Sequence, residues 1–398
     1  MMNGGDGYDA TNGRTVVIDA GSSAVRVGFA GDDGPNSTSF SAVVGHTRQS
    51  AKKKRGGICN FRRTRSHYIG DEAQKRADLL ALSYPIEGGI VTNWADMTKL
   101  LRYSFEQIGI ADPEGSTVLL SQPYLKRKAN RKMLLQVHFE ELRTGALNVS
   151  ISGVLSLYAS CRTTGLVLES GDGLTQVLPI ENCQLIGEAV LGGGGSGRFP
   201  LAGHHLSEYL VRMLYQRDYY FDVLHHRSTV NQIKEQMCSV ALDFARDIKD
   251  IASTTKFLEK THKLPDGQTV KLGAERFLCP EALFEPLQVG LDEGGLQQLI
   301  YDTVMNCQGT ALRKELFANI VLSGGCTLFG GFAERIREEV ISLAPMHTLV
   351  NVLAVPERKN LNWIGGSVLG SLSTFPAMCI TRKEYDEVGA SIIYRRDL

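Results

Sequence analysis

Two short turns of small residues, each preceded by an acidic residue, are the positions in this sequence best suited to chemistry. Residues 21–24 (GSSA) follow Asp19, and residues 171–173 (GDG) follow Glu169. Backbone N–H groups in such turns bind phosphate well, because small side chains let the phosphate approach. Carboxylates beside the phosphates suit Mg²⁺, which keeps several waters and takes one or two acids. The pattern predicts a Mg-phosphate site between the turns.

Side chains near the turns complete this prediction. Arg26 lies on the strand after the first turn and could neutralise a phosphate oxygen. The candidate phosphate contacts are Gly21, Ser22, Ser23, Ala24, Arg26, Asp172 and Gly173, and the candidate metal ligands, mostly through water, are Asp19, Glu169 and Asp172. The alternative is that both are ordinary hairpin turns, and one such turn alone would carry little weight.

The two turns belong to an approximate internal repeat. Residues 15–29 and 164–178 each contain a short apolar strand that ends in an acid, then the turn, then a returning strand. The short length and the β-branched residues favour strand over helix. Residues 320–331 form a third strand-and-loop unit that contains Ser323, Gly324 and Gly325. The repeat predicts two similar halves that face one another across a cleft.

Helical patterns fill much of the remaining chain. Apolar residues recur at three- and four-residue spacing from Met97 to Ile108 and from Val230 to Ile251, which predicts a helix in each segment. Strands interleaved with helices indicate the α/β class, with sheets covered by helices.

The composition sets broad limits. The 398 residues are 43% hydrophobic, enough for two lobes, and 43 basic residues balance 43 acidic ones. Eight dispersed cysteines without a C-x-x-C pair indicate neither a zinc site nor a redox motif and suit a reducing compartment. No apolar run approaches the ~20 residues of a membrane helix, and the N-terminus has no apolar signal region. We expect a soluble cytoplasmic protein, with the nucleus as an alternative, and no membrane partner.

One segment breaks the charge balance. Residues 41–70 contain eight Lys or Arg and no acid, with the densest clusters at 52–55 and 62–65. These clusters would attract an acidic protein surface, with nucleic acid as another candidate partner. A merely solvated loop and a nuclear localisation signal are the alternatives.

Longer passages decide the family. They are GFAGDD (28–33), YPIEGGIVTNW (84–94), VLSLYAS (154–160), RTTG (162–165), VALDF (240–244), LPDGQ (264–268), CPEALF (279–284), PERK (356–359), WIGGS (363–367), SLSTF (371–375) and EYDE (384–387). In this order they resemble actin and the actin-related proteins from Thr15 to Leu398.

The resemblance implies the actin-like ATPase fold, with four subdomains in two similar lobes around a cleft that holds ATP or ADP with Mg²⁺. Residues 1–159 with 361–398 would form the small outer lobe, in which the basic segment would be an exposed loop at 45–67. Residues 160–360 would form the large inner lobe. The matched adenosine-side positions are Gly203, Lys234, Glu235, Gly324, Gly325, Phe329 and Lys359. Phe329 stands where the family usually has a tyrosine, and stacking survives that change. An ordinary solvated helix pair is the alternative for Lys234 and Glu235.

The chain departs from actin at its hydrolytic positions. Ser152 stands where actin positions the attacking water with glutamine, Glu169 where it has aspartate, and Gln176 where it has histidine. Arg26 replaces a lysine, which keeps the charge and alters the geometry. Phosphoryl transfer depends on positioning and electrostatics, so these departures predict slow or absent hydrolysis. Compensation by nearby residues is the alternative.

Two functions from different classes follow. The first is a divergent cytoskeletal protein that holds Mg-ATP or Mg-ADP and acts as a filament protomer or as a subunit of a larger assembly, with other actin-like subunits as partners. The second is a conventional polymerising actin whose ATP hydrolysis times filament turnover. A kinase or chaperone of the wider superfamily is disfavoured, because the actin-like passages continue to the end of the sequence.

Overall fold

The computed structural model describes residues 13–35, 38–47, 66–124, 129–191, 197–222, 226–244, 246, 248, 259–264 and 267–394. Within these residues, strands and helices alternate along the chain. The strands are β1 Val16–Ala20, β2 Ala24–Phe29, β3 Ser39–Ser41, β4 Val44–Thr47, β5 His67–Ile69, β6 Leu80–Ser83, β7 Ile86–Glu87, β8 Ile90–Val91, β9 Thr117–Gln122, β10 Ala146–Ile151, β11 Gly165–Ser170, β12 Thr175–Glu181, β13 Gln184–Leu185, β14 Arg198–Phe199, β15 Lys260–Lys263, β16 Thr269–Leu272, β17 Ile320–Ser323, β18 Val352–Leu353 and β19 Ile380–Thr381.

The α-helices cover the sheets and connect their strands. They are α1 Asp71–Gln74, α2 Trp94–Gln107, α3 Ala129–Gln136, α4 Ser152–Ala159, α5 Gly187–Leu191, α6 Gly203–Tyr215, α7 Arg227–Met237, α8 Glu275–Glu281, α9 Leu296–Asn306, α10 Thr310–Ala318, α11 Phe332–Leu343, α12 Leu361–Gly370, α13 Phe375–Met378 and α14 Arg382–Val388. A π-helical turn, Val137–Glu141, follows α3. The α/β class predicted from the sequence is confirmed.

Two large sheets repeat one arrangement. The first sheet has the order β19-β10-β9-β1-β2-β3, and the second has β13-β12-β11-β17-β18, with β14 paired to β12. In each sheet a central strand pairs antiparallel with the next strand of the chain, β1 with β2 and β11 with β12. On its other side it pairs parallel with a later strand, β9 or β17. The internal repeat read from the sequence is therefore present as paired strands.

The helix pair α4 and α12 joins the sheets. Helix α4 contacts β9 and β10 of the first sheet and β11 and β17 of the second, and α12 packs on α4 and on β1. A Cβ atom on Gly365 would overlap the Leu155 carbonyl, so the helices cross with their backbones in contact. Trp363 is fully buried and donates its indole N–H to Val17 O (3.1 Å), which fixes α12 against β1. The β1–β2 and β11–β12 hairpins, which carry the two turns, therefore meet around this helix pair.

The two helices predicted by periodicity fare differently. The first is confirmed as α2, where the Asn93 side chain accepts from the Asp96 N–H and caps the N-terminus. The second, predicted from Val230 to Ile251, is wrong in extent because α7 ends at Met237. Beyond it, the Val240 N–H donates to Gly330 O (2.8 Å). A tertiary backbone hydrogen bond thus replaces the helical one.

The predicted basic loop at 45–67 is shorter at both ends than expected. Residues 45–47 belong to β4 and His67 begins β5, and these strands pair antiparallel, with His46 opposite His67. The loop thus connects two strands of a hairpin. Its charged clusters at 52–55 and 62–65 lie outside the described residues.

Among the helices in the part of the chain that the structure describes, none is long and apolar enough to cross a membrane.

Candidate functional site

The two turns share one backbone geometry. The Gly21 N–H donates to Ala24 O (3.0 Å), and the Gly171 N–H donates to Leu174 O (2.8 Å). The turns also touch each other, since a Cβ atom on Gly173 would overlap the side chain of Ser22. Glycine at 173 is therefore required by the close approach of the two halves.

The turns open on a cleft between the sheets. The cleft is open to solvent, and its volume of about 1100 Å³ includes part of that open solvent. Nearly all residues proposed from the sequence lie on its wall: Asp19, Gly21, Ser22, Ser23, Ala24, Arg26, Ser152, Glu169, Asp172, Gly173, Gly203, Lys234, Glu235, Gly324, Gly325, Phe329 and Lys359. Gln176 does not line the cleft and lies buried behind Glu169. Side chains far apart in the sequence thus converge on one cavity.

Asp19 is neutralised by an arginine of its own hairpin. Its carboxylate accepts from Ser121 Oγ (2.5 Å) and from Arg26 Nη1 (2.8 Å). Both charged side chains are largely buried, with 12% of Arg26 and 7% of Asp19 exposed. Arg26 also donates from Nε to Asn360 Oδ1 (2.8 Å). The guanidinium proposed to neutralise a phosphate oxygen is therefore bound first to Asp19, although it lines the cleft.

Glu169 is held by three neutral donors. Ser152 Oγ (2.6 Å) and Gln176 Nε2 (2.7 Å) donate to Oε2, and Asn362 Nδ2 (2.6 Å) donates to Oε1. Burial raises the pKa of this carboxyl; the three donors oppose the rise and the nearby charge of Asp19 adds to it. The three positions that depart from the actin hydrolytic pattern therefore contact one another.

Asp172, in the second turn, pairs with an arginine outside the predicted set. Arg227, the first residue of α7, forms an ion pair with the Asp172 carboxylate. Its guanidinium lies 4.2 Å from the centroid of the Tyr84 ring, which comes from the opposite side of the cleft. Burial raises the pKa of the Tyr84 hydroxyl, and Arg227 opposes that rise. Arg227 thus links the second turn to the segment facing it.

Lys234 supports the cleft wall from within. It is buried, and its ammonium donates to Gly203 O (2.6 Å), Ser207 Oγ (2.7 Å) and Asn231 Oδ1 (3.3 Å). The solvated-pair alternative is therefore wrong for Lys234, whose donors fix the start of α6 beneath the second turn. Glu235 fits that alternative better: it lies 3.8 Å from Lys359 at the cleft mouth, and both side chains are about half exposed.

The adenosine-side positions lie close to the second turn. A Cβ atom on Gly203 would come within 3.0 Å of Asp172 Cα and of Cys326 Sγ. Gly324 has φ 89°, and a Cβ there would overlap the Ser170 carbonyl, so glycine is required. Phe329 is buried near this loop. The Ser323-Gly324-Gly325 loop therefore packs directly on the β11–β12 turn.

The acids of the cleft suit a metal held through water and phosphate. Among the described residues, no three His, Cys, Asp or Glu side chains converge as a direct metal site. Asp19 and Asp172 each carry an arginine partner, and both Glu169 oxygens accept hydrogen bonds. This donor set fits Mg²⁺, which binds one or two carboxylates and keeps several waters, better than a cation that requires an all-protein cage.

Sequence reasoning missed several side chains that hold the site together, among them Tyr84, Ser121, Arg227, Asn360 and Asn362. Tyr84 lies in a matched passage, but its contact depends on the facing half. Asn360 and Asn362 fall between the PERK and WIGGS passages, where no motif drew attention to them.

Two similar α/β sheets with a turn hairpin each, closed around one cleft, define the actin-like ATPase fold. Comparison with protein families agrees: the family model described as Actin matches residues 10–397, nearly the whole chain. This chain belongs to the actin family. Proteins of that family generally bind a nucleotide and a divalent metal, commonly assemble with other subunits, and are cytoskeletal.

Proposed function

We propose that this chain binds Mg-ATP or Mg-ADP in the cleft and serves as a filament protomer or as a subunit of a larger actin-like assembly, with slow or absent hydrolysis. The observation that carries the binding proposal is the contact between two turns of the same backbone geometry. Paired glycine turns present backbone N–H groups to a phosphate chain from two sides.

Each part of the cleft has a role in this proposal. The two turns bind the phosphates, and Asp19 and Asp172 orient waters of the Mg²⁺ shell. The bound metal supplies positive charge to the phosphate oxygens. Phe329 packs near the base, and Glu235 with Lys359 borders the cleft mouth. Lys234 acts indirectly, because its three donors hold the α6 start rather than a ligand.

The Glu169 cluster supports slow hydrolysis. A group that positions an attacking water needs a free donor or acceptor directed at it. Ser152 uses its hydroxyl proton on Glu169, and Gln176 uses its amide on the same oxygen. These bonds direct a donor of each side chain at Glu169 and not at a water in the cleft, so the geometry favours a retained nucleotide over rapid turnover.

The lobe division remains a prediction, with 1–159 and 361–398 as the small lobe and 160–360 as the large one. The sheets support it, since the first uses strands from residues 16–151 and 380–381 and the second uses strands from 165–353.

We also propose that the basic segment binds an acidic surface on a partner protein. Glutamine substitutions at Lys52, Lys53, Lys54 and Arg55 should flatten the salt dependence of co-sedimentation with that partner; unchanged binding would favour a merely solvated loop.

Thermal unfolding with and without ligand tests the binding proposal. A ligand at 100 times its Kd stabilises the folded state by about 2.7 kcal/mol, so saturating Mg-ATP or Mg-ADP should raise the Tm by several degrees. Asp172→Ala should lose most of this ligand-induced shift. Asp302→Ala removes an exposed aspartate that binds Gln298 on α9, and it should keep the shift. Equal melting of the unmodified protein with and without nucleotide would contradict the proposal.

A further inference from the structure

Two asparagines at the start of α12 contact both hairpins of the repeat. Asn360, at the N-cap position, accepts from Arg26 of the first hairpin (2.8 Å). Asn362, two residues later, donates to Glu169 of the second hairpin (2.6 Å). One short segment is therefore bonded to the side chains that sit behind the two turns.

The bonds of Asn362 continue into both sheets. Ser156 of α4 donates to Asn362 Oδ1 (2.6 Å), and the Ser156 hydroxyl lies 2.8 Å from that of Ser323 on β17. Glu169 also accepts from Ser152, which directly follows β10 of the first sheet. The network thus runs from the first sheet, through α4 and α12, to three strands of the second.

The serines of the network are buried, whereas Glu169 and Asn362 are half-buried at the cleft wall. Ser152, Ser156 and Ser323 have at most 1% of their surface exposed. Both oxygens of Glu169 and both polar atoms of the Asn362 side chain are used. Such a network resists rearrangement, because breaking a bond to one of the buried serines leaves a buried hydroxyl with fewer partners.

We propose that Asn360 and Asn362 are positioning residues that hold the two turns at a fixed separation whether or not a ligand is present. Glu169, Ser152 and Ser156 connect them to both sheets, so the asparagine bridge, residues 360–362, sets the width of the cleft. A cleft held in this way changes little on ligand binding, since a ligand shifts a conformation only by its differential affinity for two states.

Hydrogen exchange of the full-length protein without nucleotide tests the bridge. Asn362→Ala removes the donor to Glu169 and the acceptor of Ser156, so amides of α4 and α12 should exchange about tenfold faster. The control is Gln297→Ala, which removes another half-buried amide side chain, one that donates to Phe284 O (3.1 Å). It should leave exchange in α4 and α12 unchanged. Exchange of α4 and α12 at the parent rate in the Asn362→Ala protein would overturn the proposal.

An exchange of partners separates the bridge from a general loss of folding. In the double variant Glu169→Gln with Asn362→Asp, the new glutamine oxygen accepts from Ser152 and Gln176, its amide donates to the new aspartate, and that aspartate accepts from Ser156. Exchange in α4 and α12 should return to within threefold of the parent, whereas Asn362→Asp alone places two carboxylates together and should be fastest. A double variant as fast as the single would overturn the proposal.

The bridge proposal is tested independently of nucleotide binding, because the hydrogen-exchange comparison of the variants uses no ligand. Among the amides of α4 and α12 that exchange by local opening, adding Mg-ATP should leave the parent rate within about twofold of its ligand-free value. Amides that exchange only by global unfolding are excluded, because any bound ligand slows them. Locally exchanging amides that become at least tenfold more protected with Mg-ATP would contradict the bridge, since nucleotide would then close the cleft.

Discussion

The β1–β2 and β11–β12 hairpins place an acid at the same point and hold it in different ways. Asp19 faces Arg26 across its hairpin, and Glu169 faces Gln176 at the equivalent register. Asp19 is bonded by Arg26 and by Ser121 of the neighbouring strand. Glu169 is bonded by Gln176, but its other donors come from the start of α4 and from α12.

This difference shows how a duplicated frame can acquire two roles. The backbone of the two turns is nearly the same, because the Gly21 and Gly171 hydrogen bonds are equivalent. In the first hairpin Asp19 is neutralised by Arg26 of the same half and remains beside the phosphate turn. In the second hairpin Glu169 accepts hydrogen bonds from neutral donors of both halves and so connects them. Side chains, and not the turns, therefore distinguish the halves.

Removing the charged partner in the first hairpin should have the largest effect. Arg26→Met leaves the buried Asp19 with one neutral donor, and breaking such a pair costs about 3–5 kcal/mol. Urea unfolding without nucleotide measures this loss. The control Arg14→Met removes a more exposed ion pair with Asp32 and should cost under about 1 kcal/mol. Equal losses for the two variants would contradict the assigned role of Arg26.

Acid should destabilise the fold through one buried histidine of the first half. His138 is fully buried in the first-sheet core, and neither ring nitrogen has a hydrogen-bond partner among the described residues. Burial lowers its pKa from 6.5 to about 4. Between these values the unfolded chain binds the proton and the folded one does not. Stability should therefore fall by about 3 kcal/mol as the pH drops from 6.5 to 4.

His138→Leu should remove that part of the pH dependence, measured as unfolding free energy at pH 7 and pH 4.5. His347→Asn changes an exposed histidine at positive φ, a conformation that asparagine tolerates, and should keep the slope. Identical pH dependence in the His138→Leu protein would show that another group controls acid unfolding.

Pushing the two turns apart should have an intermediate effect on the free energy of unfolding. Gly173→Ala adds a Cβ that overlaps Ser22, so the halves must separate, at a cost of about 1–3 kcal/mol. Gly171→Ala is the matched control, because its Cβ would lie 3.5 Å from the Leu174 carbonyl in ordinary contact. Calorimetry should show weaker nucleotide binding for the first variant only. Equal affinity for both would mean that the contact between turns does not shape the site.

The smallest effect is expected in the second hairpin. Gln176→Leu removes one of three donors to Glu169, and losing one hydrogen bond costs about 1–2 kcal/mol. This loss should be clearly less than that of Arg26→Met in the same urea measurement. A loss as large as that of Arg26→Met would show that Glu169 depends on Gln176 as strongly as Asp19 depends on its charged partner.

The sequence predicted the elements that depend on local pattern. The strand-turn-strand repeat, the loop at Ser323 and helix α2 follow from the spacing of apolar residues, from β-branching and from turns of small residues, and the structure confirms them. The cleft residues nearest the turns were found for the same reason. The end of α7 was missed, because Val240 pairs with Gly330 almost a hundred residues away.

The contacts that hold the cleft side chains in place join residues far apart in the sequence, so a local sequence pattern could not predict them. Arg227 acts through Asp172 and Tyr84, and Asn362 acts through Glu169 and Ser156, across separations that only the folded sheets define. The sequence showed that Ser152, Glu169 and Gln176 each differ from the actin residue type at that position. That they form one hydrogen-bonded cluster required the structure.

Single-turnover phosphate release tests the central claim most directly. The parent and the triple variant Ser152→Gln, Glu169→Asp and Gln176→His are each loaded with stoichiometric Mg-ATP, and free phosphate is followed with time. We predict that the parent retains its ATP while the triple variant, with the actin residue types restored together, releases phosphate about 10²-fold faster. Release from the parent at the rate of the triple variant would contradict a cleft built to hold nucleotide without hydrolysing it.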